Sequence, residues 1–178
     1  MDGTLERFNG QARLRFTRRL DHPPEAVWRA LTEGDDLAAW FPAEIEGGWE
    51  PGAHLRFAFR NPEDAADVLE VDEAPVLTGK VIVYKPYTRL EYTWDHDTLR
   101  FDLERDRDST ILTLTVTFDE LGKAARDAAG WHECLDLLTA RLAGEQPEFE
   151  HGERWAQVHP GYVERFGPDA STIRPPER

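Results

Sequence analysis

One cysteine, Cys134, stands in 178 residues, so no intramolecular disulfide can form, and such thiol usage suits a reducing cytoplasm. Cations are scarce too: Lys and Arg total 21 against 35 acidic residues, for a formal net charge of −14. A nucleic-acid binder needs a concentrated basic surface to displace counterions, and the cations here are scattered. The excess acid also repels anionic lipid, while leaving room for a local basic pocket for one small anion. No uninterrupted apolar run approaches the roughly 18–20 residues that cross a bilayer. Met1 to Arg7 lacks the basic and apolar regions of a signal peptide. A cytoplasmic protein with neither nucleic-acid nor membrane partner is expected. There is no Gly-x-Ser-x-Gly elbow, phosphate-cradling loop or dinucleotide fingerprint, and no cofactor is expected.

What is present reads as one globular domain of ordinary size, with 40% hydrophobic and 31% charged residues. Arg18 to Leu20 close a strand that runs into His22-Pro23-Pro24. Pro23 keeps His22 extended, and Pro24 fits the first position of a helix, where a missing N–H costs nothing. Val27, Trp28 and Leu31 share a face of that helix, and Gly34 ends it. Asp35 or Asp36 caps a short second helix that carries Trp40-Phe41 and stops at Pro42. Alternating segments follow: Leu55 to Phe59, Leu77 to Tyr84, Leu90 to Trp94, Leu99 to Leu103 and Leu112 to Phe118. Asn61 to Ala65 reads as a turn, and Asp67 to Ala74 as a strand or hairpin edge. Short turns between strands imply an antiparallel meander with one apolar face.

From about Lys123 to Ala143 the period becomes helical, with Trp131, Leu135, Leu138 and Leu142 on one stripe beside Cys134. Glu133, Asp136 and Arg141 fall on other faces. The fold class is α+β: a curved antiparallel sheet wrapped around a long C-terminal helix, with two short helices after the first strand. Residues 1–144 form this domain. In 145–166, Trp155 and Val158, then Tyr162, Val163 and Phe166, read as two short helical turns on the body, split by His159-Pro160-Gly161. Residues 167–178, rich in Pro and charge, read as a disordered tail.

This order of strand, Pro-Pro-Glu-x-Val-Trp helix, Trp-Phe pair, meander and amphipathic helix resembles the SRPBCC or START-like superfamily. More narrowly it resembles the bacterial branch named after the activator of the Hsp-ninety ATPase. Arg18, Pro23 to Trp28, Trp40-Phe41, Gly79-Lys80-Val81, Arg89-Leu90 leading to Trp94, and Gly130-Trp131 carry the likeness, over roughly Leu14 to Leu142. The resemblance implies the helix-grip fold, with a hydrophobic cavity between sheet and helix. Relatives include lipid and hormone binders, cyclase subunits and hydrolases, so fold alone does not select a function. The acidic Glu63–Glu73 insert and the Trp155–Phe166 tail depart from the shorter family pattern.

Small-ligand sites are apolar with a few convergent polar groups. By strand parity or helix face, Phe57, Tyr92, Trp94, Phe101, Trp131 and Leu135 are the candidate lining, with Trp40 and Phe41 near the entrance. Arg18 shares the parity of Leu14, Phe16 and Leu20, and so faces the apolar side. Its guanidinium there needs a partner, either a structural carboxylate or a carboxylate ligand. The six histidines show no metal-ligand spacing. The leading expectation is a protein that binds a small apolar or aromatic molecule. The alternatives are a cyclase, dehydratase or hydrolase using His96, His132 or Tyr92 for proton transfer, and a chaperone-related module docking a protein partner or its own copy through the Trp155–Phe166 tail.

Overall fold

Strict alternation sets the sheet. The computed structural model describes residues 2–60 and 76–173. The turn expected at Asn61–Ala65, the edge at Asp67–Ala74 and the Glu63–Glu73 insert lie outside the described residues. Strands β1 (Thr4–Phe8), β2 (Gln11–Leu20), β3 (Ala43–Gly47), β4 (His54–Phe59), β5 (Val76–Lys85), β6 (Arg89–Trp94), β7 (Asp97–Asp106) and β8 (Ser109–Phe118) form one sheet. Its order is β1-β2-β8-β7-β6-β5-β4-β3, with every neighbouring pair antiparallel. The β8 run Leu112, Leu114, Val116 and Phe118 is buried, while Thr113, Thr115 and Thr117 face outward. In register with it, Leu14 and Phe16 of β2 and Leu99 and Phe101 of β7 extend the same apolar face.

Between Val81 and Val83 the β5–β6 register shifts by a bulge, which bends the strand and increases its twist. Just before it, Gly79 lies so close to β6 that a Cβ would sit 2.0 Å from the Thr93 carbonyl oxygen. Only a residue without a side chain permits that approach, and the sheet curves here.

Helix α1 (Pro24–Thr32) starts on the proline pair as expected. The short α2 (Gly34–Leu37) differs from expectation: Gly34 opens it and Glu33 is its N-cap, without a side-chain cap bond. Asp36 is instead drawn to Arg141, whose Nε and terminal nitrogen lie 2.9 and 2.7 Å from its Oδ1. Trp40 and Phe41 follow as buried residues, so they are part of the interior rather than a mouth.

Helix α3 (Ala124–Ala143) ends on Gly144 at φ 70°, a left-handed cap. Ala124, Ala125, Ala128 and Ala129 let its first turns approach the sheet closely, and Trp131, Leu135 and Leu138 continue the buried face. No helix among the described residues is long and apolar enough to cross a membrane.

The C-terminal extension departs from its expected form. It is one helix, α4 (Glu153–Phe166), continuous through Pro160, rather than two separate turns. An internal proline removes a helical hydrogen bond, so such a helix relies on tertiary packing. Here Trp155 stacks on His159 with centroids 4.3 Å apart, and Tyr162 is fully buried against the body. The tail is also ordered in its first part. Pro168–Ala170 forms a 3-10 turn, Ala170 is buried, and the Ile173 amide donates to the Gly122 carbonyl at 3.1 Å.

Candidate functional site

The apolar faces of sheet and α3 meet in a continuous set of rings. Alternation on β6 aims Tyr92 and Trp94 inward, and parity on β4 and β7 brings Phe57 and Phe101 beside them. Trp94 touches Phe57 at 4.7 Å between centroids, Phe41 at 5.2 Å, Phe59 at 5.5 Å and Trp131 of α3 at 6.2 Å. Tyr92 lies against Trp49 at 5.7 Å, Phe57 at 6.0 Å and Phe101 at 6.1 Å. Trp40 joins through Phe41 and Phe101, and its indole N–H donates to the Ala30 carbonyl at 2.8 Å. The candidate lining residues therefore come together, largely edge to face, the arrangement that ring quadrupoles favour. Leu135 is buried one turn of α3 beyond Trp131.

Tyr92 is the polar exception inside this set. It is 1% exposed, and burial raises its pKa.

Arg18 faces the interior, as its parity requires, and its guanidinium lies 3.7 Å from Asp136 of α3. Asp136 belongs to a larger polar group. Arg154 Nε lies 3.2 Å from it and His132 Nε2 3.6 Å. On the other side of the ring, His132 Nδ1 is 2.8 Å from the Tyr162 hydroxyl, which accepts the Gly3 amide at 2.9 Å. Desolvation lowers the His132 pKa, with Asp136 opposing, and burial raises that of Tyr162. Sequence reasoning had no means of pairing Arg18 with Asp136, because contacts between β2 and α3 leave no periodic trace.

Glu133 falls on a different face of α3 from the apolar stripe, yet it is buried, because α4 covers that face. Its carboxylate oxygens accept the Gly152 amide at 2.9 Å and the Trp155 amide at 2.7 Å. A carboxylate at the start of α4 satisfies otherwise orphan donors and meets the positive end of the helix dipole. A second buried carboxylate, Asp97, accepts Lys123 Nζ at 2.6 Å, with Asp127 3.6 Å from the same ammonium. Desolvation raises the Asp97 pKa, and Lys123 opposes the shift. The three groups named for proton transfer do not converge: His96 is exposed in the β6–β7 turn, His132 lies beneath α4, and Tyr92 is among the rings. Among the described residues no group of three His, Cys, Asp or Glu side chains is arranged to hold a metal ion.

Comparison with known proteins agrees with this architecture. A conserved protein of unknown function from Enterococcus faecalis (EF2215) superposes with a TM-score of 0.67 at 25% identity, over 92% of this chain and 89% of that one. The BPP1335 protein of Bordetella parapertussis superposes at 0.68 with 28% identity, over 92% and 91%. CalU16 from Micromonospora echinospora, at 17% identity, shares the fold with a TM-score of 0.67 over 93% and 97%. No curated protein sequence matches the chain. The family described as activator of Hsp90 ATPase homolog 1-like protein matches residues 21–143. With the helix-grip architecture and its aromatic interior in place, that match makes this chain a member of the AHSA1-type family of the SRPBCC superfamily.

Proposed function

We propose that this protein binds a small aromatic or apolar molecule carrying one polar group, held between the sheet and α3. The supporting observation is Tyr92, a buried phenol enclosed by the rings of Trp49, Phe57 and Phe101. An aromatic guest would exchange ring contacts with this set and place its polar group within reach of the phenol. Trp94, half-buried and touching four rings, is the side chain whose movement would admit it. Arg18, already facing Asp136, takes the structural role in this reading. A docking role for the C-terminal tail is less favoured, because Trp155 and Tyr162 are spent on contacts within the chain.

Native mass spectrometry of freshly purified protein, with a 1-naphthol titration read by tryptophan fluorescence, tests the proposal. A co-purifying organic mass or saturable quenching is expected, and Tyr92→Phe should weaken 1-naphthol about tenfold, the loss of roughly one buried hydrogen bond. Neither adduct nor saturable quenching, or affinity indifferent to Tyr92→Phe, would overturn it.

A further inference from the structure

The outward face of the sheet is the other place where the molecule could hold a ligand. A depression of about 510 Å³ lies there, lined by Arg15 of β2, Lys85 and Arg89 at the β5–β6 turn, Asp102 and Glu104 of β7, and Thr113 and Ile111 of β8. The register explains the grouping: Thr17, Thr113, Asp102, Arg89 and Lys85 fall on one rung across five strands, and Arg15 is two residues from Thr17 on the same face. Asp102 is already satisfied twice, by Arg89 Nε at 2.6 Å and Arg100 Nε at 2.7 Å. Arg15 and Lys85 carry no ion pair among the described residues. Three cations thus line the depression beside two carboxylates, a local excess of positive charge on a chain whose formal net charge is −14.

We propose that this depression is a binding site for a small organic dianion, a phosphate monoester or a dicarboxylate. Two uncommitted cations match a doubly charged head, and a guanidinium accepts either oxyanion in two-point fashion. The Thr113 hydroxyl adds a donor at the floor, and Ile111 supplies an apolar wall for the organic part. The volume suits a small metabolite rather than a polymer, and the surrounding acid repels long polyanions. The site lies on the opposite face from the aromatic interior, so it stands or falls independently of the function proposed above.

Titrations of the full chain with phenyl phosphate and with phthalate, followed by amide NMR shifts at low salt, test the site and separate the two head groups. Saturable shifts confined to β2, the β5–β6 turn, β7 and β8 are expected with at least one probe. Arg15→Gln and Lys85→Gln, both at exposed positions, should each weaken binding about tenfold while leaving the melting point unchanged, and added salt should weaken binding further. Arg56→Gln, at the other end of the sheet, should leave affinity unchanged. No saturable shift with either probe, or an equal loss in all three variants, would overturn the proposal.

Discussion

His132 Nδ1 lies 2.8 Å from the Tyr162 hydroxyl, joining α3 to α4 across 30 residues of sequence. Because that hydroxyl accepts the Gly3 amide, its own proton is free to go to Nδ1, which leaves Nε2–H facing Asp136. This assignment uses a neutral imidazole, in keeping with the lowered pKa of His132. One phenol thus fastens the N-terminus, the long helix and the C-terminal extension together.

Removing that oxygen should be felt globally. Tyr162→Phe strands the Gly3 amide and the imidazole nitrogen in a buried place, at a cost of about 1–3 kcal/mol. Thermal unfolding followed by circular dichroism should show a melting point lower by several degrees, at roughly 2–4 °C per kcal/mol for a chain of this size.

Protonation of His132 should weaken the fold in mildly acidic solution. Its folded-state pKa is below the ordinary imidazole value of 6.5, so between these two values the unfolded chain binds more protons. Stability from this group is therefore present above about pH 6.5 and is lost as pH falls through the lower folded value. Burial lowers His159 in the same sense, so both imidazoles contribute to the slope. Chemical denaturation at a series of pH values should show the decline, and His132→Gln should flatten it in part, leaving the His159 share.

Glu133→Gln should loosen α4 selectively. The carboxylate that receives Gly152 and Trp155 becomes a neutral amide, with a weaker acceptor and no charge for the helix N-terminus. A loss of about 1–2 kcal/mol is expected. Hydrogen exchange should rise across Glu153–Phe166 while β7 and β8 keep their protection.

The Lys123–Asp97 pair separates the effect of charge from that of packing. Lys123→Met leaves a buried carboxylate uncompensated and should cost about 3 kcal/mol or more. Lys123→Met combined with Asp97→Asn should recover most of it. Urea midpoints of the two single variants and the double variant provide the measurement.

Gly79→Ala should fail to fold well, because the new methyl meets the Thr93 carbonyl and the Phe57 ring. Overpacking of this kind costs about 1–3 kcal/mol, and more where backbone must move. A reduced melting point would show it, and an unchanged one would mean that the two strands can part without penalty.

Much of the fold was legible because its elements obey simple periods. Leu112 to Phe118 alternate without exception, and Trp131, Leu135 and Leu138 repeat at helical spacing, so burial could be read residue by residue. The aromatic members of the candidate site were legible for the same reason. Strands β1 and β3 were not, because β1 is largely exposed and β3 buries only Ala43 fully. The extension misled through Pro160, whose local preference for a break is overcome by Trp155 stacking and Tyr162 anchoring. The burial of Glu133 was not legible, because its face lies off the apolar stripe and is covered only by a second helix further along the chain.

The amino-acid order alone therefore determined which residues face inward, where the long helix stops, and that Arg18 would need an acidic companion or ligand. Only the tertiary structure decided that the companion is Asp136, that Tyr92 is enclosed by Trp49, Phe57 and Phe101, and that scattered Arg15, Lys85 and Arg89 converge on one outward depression. The reason is one of range. Alternation and helical spacing act between near neighbours along the chain, whereas these groupings depend on strand order and register between segments far apart in sequence.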